Sequence, residues 1–257
     1  MRLALTPFAL ALLSGVMLAL PAHAQNAPLS IPFQAAIRPT PALNAFLDEM
    51  RASLAKGDQP AIDALFAPSV RVFLRDLDPL NTWKETDKVD QKPLATLSRL
   101  MFEEGAMPGA PPVDYSGQLI ELLGEAFGPD APLGSMPQVK DGICSPPRYV
   151  FDAAKIRQLA KKFGTLTTNV RVAPRALALK ASPEPEAKAA FTVPAGTALF
   201  TLDENNLPEG WGRVALSDGR KAYVDSLEDI PTLHQRHICL GKQGDSYRII
   251  AVFSYGL

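Results

Sequence analysis

Residues 176–227 constrain the fold of this chain most strongly, because short apolar runs alternate there with turn residues. The segment reads ALALKASPEPEAKAAFTVPAGTALFTLDENNLPEGWGRVALSDGRKAYVDSL. Short runs of this kind, bounded by Gly, Pro, Asn and Asp, are typical of β-strands joined by tight turns. Asp218-Gly219 favours the positive φ angles of a two-residue hairpin turn. We therefore expect a small β unit in the second half of the chain.

Four pieces of this segment carry a family pattern: 177–183, 191–199, 210–214 and 218–224. In order, they resemble the opening strand and first loop, the second strand and turn, the Trp strand, and the last turn and strand of bacterial SH3-like domains. Lys180 stands where that family usually has Arg. The resemblance covers about 50 residues and implies a small barrel that is used mostly for binding.

The candidate binding residues lie in this segment: Trp211, Tyr223, Arg213 and Arg220. Aromatic side chains on a small barrel stack on peptide or sugar, and the basic side chains would meet carboxylates of wall peptides. The alternatives are a Trp211 buried in the barrel core and basic side chains that are only solvated.

The first part of the mature chain begins with helical signals. Thr40-Pro41 reads as an N-cap with Pro at the first helical position, and apolar residues recur at helical spacing up to Gly57-Asp58. In 69–77, Val70, Val72 and Leu74 alternate with Arg71, Phe73 and Arg75, which predicts a strand. Residues 43–75 resemble the start of nuclear-transport-factor-2-like proteins. The polar stretch 83–92 departs from that family, so its cone-shaped pocket is not assumed.

We predict an α+β protein with a helix-rich N-terminal domain, a small SH3-like β-barrel and an added C-terminal hairpin. The expected organisation is a signal peptide at 1–24, an extended lead-in at 25–39, an α+β N-terminal domain at 40–150, a connector helix at 151–172, and the barrel plus hairpin at 173–257.

The amino terminus has the pattern of a secretory signal peptide. Arg2 precedes an uncharged run at 3–20, and Ala22-His23-Ala24 fits cleavage after Ala24. The alternative is a membrane anchor, because the run is just long enough to span a bilayer. We expect a periplasmic or secreted protein with no stable membrane span after cleavage.

The chain has two cysteines, Cys144 and Cys239, an even number that suits an oxidising compartment. We predict that they form a disulfide, and the alternative is two buried free thiols. A bridge between them would hold the terminal hairpin against the N-terminal domain.

The sequence offers little for catalysis. His237 and Cys239 share one face of a predicted strand, which suits either a thiolate–imidazole pair or a cystine beside a histidine. We predict no catalytic residues, no metal site and no cofactor, and a net charge of −1 argues against nucleic acid.

These patterns favour a non-enzymatic periplasmic protein that binds cell-envelope material, either peptidoglycan or a protein partner. The alternatives are an envelope hydrolase and a small-molecule carrier, each using a cleft in the N-terminal domain.

Overall fold

The computed structural model describes residues 27–34, 36–76, 78–102 and 113–255. The predicted signal peptide at 1–24 lies outside these residues. The helices among them are α1 (Pro41–Lys56), α2 (Gln59–Asp63), α3 (Pro93–Phe102), α4 (Ser116–Ala126) and α5 (Ala153–Phe163). The strands are β1 (Phe66–Arg75), β2 (Lys84–Val89), β3 (Gly134–Met136), β4 (Val139–Ser145), β5 (Val170–Val172), β6 (Leu177–Lys180), β7 (Ala189–Val193), β8 (Ala198–Leu202), β9 (Gly212–Ala215), β10 (Lys221–Val224), β11 (His237–Gln243) and β12 (Ser246–Tyr255).

The chain enters its first sheet through the helical hairpin that the sequence predicts. The Leu43 amide donates to Thr40 Oγ1 at 3.3 Å at the start of α1. The helix ends where Gly57 adopts a φ of 65°, a left-handed conformation that glycine takes without strain. The side chain of Asp58 then caps α2, which leads directly into β1.

The first sheet has six strands in the order β2-β1-β12-β11-β4-β3. β1 and β12 are parallel, and the other neighbours are antiparallel. Residues of α1 to α4 pack with one face of this sheet in a single apolar cluster. The prediction of a helix-rich N-terminal domain is wrong, because the scaffold is a six-stranded sheet with the helices as a layer on it. β2 is polar and exposed, and β3 has only three residues, so neither produces a clear strand pattern.

The second sheet has the strand order β5-β8-β9-β10-β6-β7. Its end strands, β5 and β7, do not pair with each other, so the sheet is open and the predicted SH3-like barrel is wrong. The edge of β8 that does not pair with β9 pairs with β5, through the register Val172↔Ala198 among others. A tight turn forms at Asp218-Gly219 as predicted, and Gly219 has a φ of 93°. The loop has three residues, 217–219, and not the predicted two, because the Leu216 amide donates to the Arg220 carbonyl and Asp218 does not have a positive φ.

The terminal hairpin is not an addition to a barrel. β11 and β12 lie in the centre of the first sheet, between β4 and β1. Cys144 of β4 and Cys239 of β11 are register partners with Cα atoms 4.0 Å apart, and they form the predicted disulfide. The second sheet is therefore inserted between two strands that are neighbours in the first.

The lead-in to α1 is extended and contacts both sheets. The Ile31 amide donates to the Gly196 carbonyl at 2.6 Å, next to the second sheet, and the Ile37 amide donates to the Leu133 carbonyl at 2.8 Å, next to the first. α5 packs on one face of the second sheet. The first sheet keeps an aromatic face opposite its helices. No helix of the described ranges is both long and apolar enough to cross a membrane.

Candidate functional site

The aromatic face of the first sheet is organised around Arg75, the last residue of β1. Its register partner across the parallel pair is Tyr255 of β12. The guanidinium carbon lies 4.1 Å from the centre of the Trp83 ring and 5.5 Å from that of Tyr255. Phe73, two residues earlier on the same face of β1, stacks on Phe253 with 4.5 Å between ring centres. The arginine is therefore held among aromatic rings.

Most of the hydrogen-bonding capacity of Arg75 is unused. The side chain is 8% exposed, and its Nη1 donates to the Pro79 carbonyl at 2.6 Å. Neither Nε nor Nη2 has a hydrogen-bond partner among the described residues. Burial lowers the pKa of Arg75, while the charge of Tyr255, a loose side-chain hydrogen bond with Tyr255, and the charges of Asp78 and Asp76 raise it. The contact with Tyr255 is too poorly aligned or too long to count as a full hydrogen bond, so Nε and Nη2 lack a close partner in the described part of the chain. A buried guanidinium normally binds a carboxylate or phosphate, so this arrangement is unusual.

The two carboxylates next to Arg75 in sequence have other partners. Asp76 accepts two hydrogen bonds from the Asn81 amide, at 2.8 and 2.9 Å. Asp78 forms an ion pair with Arg157 of α5 at 3.1 Å and accepts a hydrogen bond from Thr167. Asp78 thereby ties the loop after β1 to the layer that covers this face.

Arg75 lies in the wall of two neighbouring hollows. The more enclosed one is a cavity of about 150 Å³, lined by Arg75, Pro79, Leu80, Asn81, Thr82, Trp83, Gln138, Arg148, Tyr149, Phe151, Ala153, Leu233, Gln235 and His237. The other is an open groove of about 500 Å³, lined by Leu74, Arg75, Asp76, Leu80, Asn81, Thr82, Lys84, Thr86 and Arg157. The segment 80–82 belongs to both walls, so the two hollows adjoin each other there.

His237 also lines the cavity, and it is 4% exposed. Its Nδ1 lies 2.8 Å from the Pro146 carbonyl oxygen, an acceptor, so Nδ1 carries a proton and donates it. Burial, helped by the charges of Arg75 and Arg148 and opposed by the Pro146 hydrogen bond, lowers the pKa of His237 to about 4. At neutral pH the imidazole therefore adds no charge to the cavity.

Two of the binding residues that the sequence predicted lie together on the second sheet. Arg213 and Tyr223 face each other on β9 and β10, and both contact Glu204. Arg213 Nη1 lies 2.9 Å from one carboxylate oxygen, and the Tyr223 hydroxyl donates to the other at 3.2 Å. The protein's own carboxylate thus occupies this pair.

The other two predicted residues lie apart from that pair. Arg220 forms an ion pair with Asp218 at 2.8 Å, and its guanidinium lies 4.5 Å from the centre of the Phe191 ring. Trp211 is half-buried and belongs to no described apolar cluster of the second sheet. Ligand binding by these four residues stays a prediction.

The chemistry of the cavity suits binding. Cys144 and Cys239 are joined to each other, so neither supplies a thiolate beside His237. In the ranges that the structure describes, no group of three or more His, Cys, Asp or Glu side chains is arranged to hold a metal ion. What the cavity offers is a fixed cation, aromatic walls and a few polar side chains, the usual contents of a small-ligand site.

Reasoning from the sequence missed Arg75 as a site residue. The alternation in 69–77 does place Arg75 on the face opposite Val72, but an arginine on the polar face of a strand normally points to solvent. Here Tyr255 from the far end of the chain and Tyr149 of the cavity wall lie close to that face. Only contacts between distant parts of the sequence bury this arginine.

No protein-family model matches the sequence, and no curated protein matches it. The residues of the cavity are therefore the basis for inferring a function.

Proposed function

We propose that this chain is an exported binding protein that holds a small carboxylate in the cavity at Arg75. The observation that carries the proposal is an arginine that is 8% exposed, whose Nε and Nη2 have no close hydrogen-bond partner among the described residues. These two nitrogens present parallel N–H bonds on one edge of the guanidinium. One carboxylate accepts both bonds and satisfies them together.

The rest of the cavity lining supports an anion with an apolar part. Arg148 is a second cation in the wall, and the lining contains neither Asp nor Glu. Trp83, Phe151 and Leu233 supply apolar surface against which a short carbon chain can pack. A positive charge that has no direct ion-pair partner among the described residues, in a partly dry site, favours an anionic ligand over a neutral one.

Export is the second part of the proposal. It is supported by the leader pattern in 1–24 and by the disulfide between Cys144 and Cys239. In the cell envelope the carboxylate would come from a small metabolite or from the peptides of the wall. This moves the binding site from the surface around Trp211 to the cavity beside Trp83.

The test uses the fluorescence of Trp83. The chain has two tryptophans, so Trp211→Phe leaves Trp83 as the only one. Titrating this variant with sodium propionate at constant ionic strength is expected to give a saturable change in emission with a Kd of about 1 mM or lower. Adding Arg75→Met keeps the apolar stem between the rings and should weaken binding at least tenfold.

The matched control is Lys84→Met in the same background. Lys84 is an exposed cation that lines the groove and not the cavity, so its loss should leave the Kd within about twofold. Equal weakening by Arg75→Met and Lys84→Met would mean that general electrostatics cause the binding, and the proposal would fail. The absence of any saturable change in the Trp211→Phe protein would refute it as well.

A further inference from the structure

Two glutamines that line the same cavity as Arg75 have unpaired side-chain acceptors. Gln138 lies in the turn between β3 and β4, and Gln235 lies just before β11. Both line the cavity, and the side-chain oxygen of each is buried without a hydrogen-bond partner among the described residues. The other end of the Gln235 amide is fixed, because its Nε2 donates to the Tyr149 hydroxyl at 3.3 Å.

A buried carbonyl oxygen without a donor costs free energy, just as a buried guanidinium without an acceptor does. The cavity therefore combines donors for an anion at Arg75 with acceptors for an N–H group at Gln138 and Gln235. A ligand that carries a carboxylate and an N–H group a few bonds apart would pair with both the donors and the acceptors.

The charge of the wall indicates which kind of N–H group fits. Arg75 and Arg148 are both cations, and the lining has no carboxylate, so a ligand ammonium would face two like charges and only neutral acceptors. An uncharged N–H, as in an amide, escapes that repulsion. A free amino acid therefore fits this wall less well than an acylated one.

We propose that the ligand is an N-acylated amino acid, either as a small molecule or as the C-terminal residue of a peptide. Its carboxylate binds Arg75, and its amide N–H donates to Gln138 or Gln235. This inference rests on the proposed function. The cavity of about 150 Å³ takes the terminal residue, and the groove of about 500 Å³, which shares Arg75 and 80–82 with it, takes the acyl group or the preceding peptide.

The test compares N-acetyl-L-alanine with O-acetyl-L-lactate, which has an ester oxygen in place of the N–H and is otherwise matched. In the Trp83 fluorescence titration, the amide should bind about tenfold more tightly than the ester, because the ester oxygen faces an acceptor. L-Alanine, which carries an ammonium, should also bind about tenfold more weakly than the amide. The dissociation constants of trialanine and N-acetyl-L-alanine are then compared. Tighter binding of trialanine indicates a peptide C-terminus as the ligand, and tighter binding of N-acetyl-L-alanine indicates a small molecule.

Variants of the glutamines locate the acceptor. Gln138→Met and Gln235→Met keep the side-chain length and remove the carbonyl oxygen. At least one of them should reduce the preference for the amide over the ester to about twofold. A melting curve for each variant confirms that it is folded.

The outcomes separate the two proposals. If propionate binds through Arg75 and the ester binds as tightly as the amide, the inference is wrong and the carboxylate site stands. If none of the carboxylates binds, both proposals fall. If the amide preference survives in both glutamine variants, the acceptor lies elsewhere and the inference is again wrong.

Discussion

The guanidinium of Arg75 lies 4.1 Å from the centre of the Trp83 ring, and the arginine side chain is 8% exposed. The ring contact stabilises the cation, but it satisfies no N–H group, because these donors lie in the plane of the guanidinium. Two donor nitrogens are left without partners among the described residues. A side chain kept in this state lowers the stability of the fold and is better explained by binding than by packing.

We expect Arg75→Met to raise the free energy of unfolding by about 1 kcal/mol in the absence of ligand. Removing a buried, incompletely paired charge is often stabilising, and the lost contacts with Trp83 and Pro79 offset part of the gain. Urea denaturation of the two proteins measures the difference. A loss of more than 1 kcal/mol would show that Arg75 is a structural residue.

The disulfide should make a large contribution to stability. It joins central strands across a sequence separation of 95 residues, and the chain-entropy model gives about 4.7 kcal/mol for a loop of that length, of which less is expected in practice. We expect the double substitution Cys144→Ala and Cys239→Ala to lower the free energy of unfolding by about 3–4 kcal/mol in urea. A reductant should destabilise the wild type and leave the double variant unchanged. Equal urea midpoints for wild type and variant would contradict this.

Acid should destabilise the protein through His237. Burial holds its folded pKa at about 4, below the value of about 6.5 in the unfolded chain. The stability that the folded protein gains while His237 is neutral in both states is therefore fully present above pH 6.5. It is lost as the pH falls towards 4, because the unfolded state takes up the proton first. The loss amounts to about 3 kcal/mol for this buried group.

The check is the free energy of unfolding at several pH values for wild type and His237→Asn. The variant keeps a donor for the Pro146 carbonyl and does not titrate in this range. Its stability should fall less steeply between pH 6.5 and 4, although His234 retains part of the slope because burial lowers its pKa to about 4 as well. Parallel curves for the two proteins would contradict the assignment to His237.

In Gly210-Trp211-Gly212, only the second glycine is required by packing. A Cβ added to Gly212 would come within 2.4 Å of a Leu227 methyl carbon, whereas one added to Gly210 would meet nothing within 4 Å. We expect Gly212→Ala to cost about 1–3 kcal/mol of stability by overpacking. Combining it with Leu227→Ala should cost less than the sum of the two single changes, as a double-mutant cycle measures. Additive costs would mean that the two residues do not compete for this space.

The features that the sequence predicted correctly depend on local signals. Thr40, Gly57 and Asp58 delimit the first two helices through bonds within a few residues, and the Asp218-Gly219 turn is equally local. The pairing of Cys144 with Cys239 followed from the predicted export, because two cysteines allow only one pairing within the chain.

The features that the sequence did not predict depend on distant partners. The second sheet ends in β5, a strand that lies outside the segment with the family resemblance and pairs with β8 but not with β7. The hairpin of β11 and β12 lies in the first sheet because β12 pairs with β1, more than 170 residues earlier. The site at Arg75 combines both effects, since Tyr255 of β12 closes one side of it. Hydrophobic periodicity predicts which segments form strands, but it does not predict which strands pair with each other.

The most direct test of the carboxylate site observes the Nε–H group of Arg75 itself. In a ¹H–¹⁵N spectrum of the arginine side chains, the Arg75 signal is the one missing from Arg75→Lys. On titration with propionate, we expect this signal to move downfield and to saturate with the Kd measured by Trp83 fluorescence. The signal of Arg220, which is ion-paired with Asp218, should stay in place. An Arg75 signal that does not move at saturating propionate would show that the carboxylate does not bind Arg75.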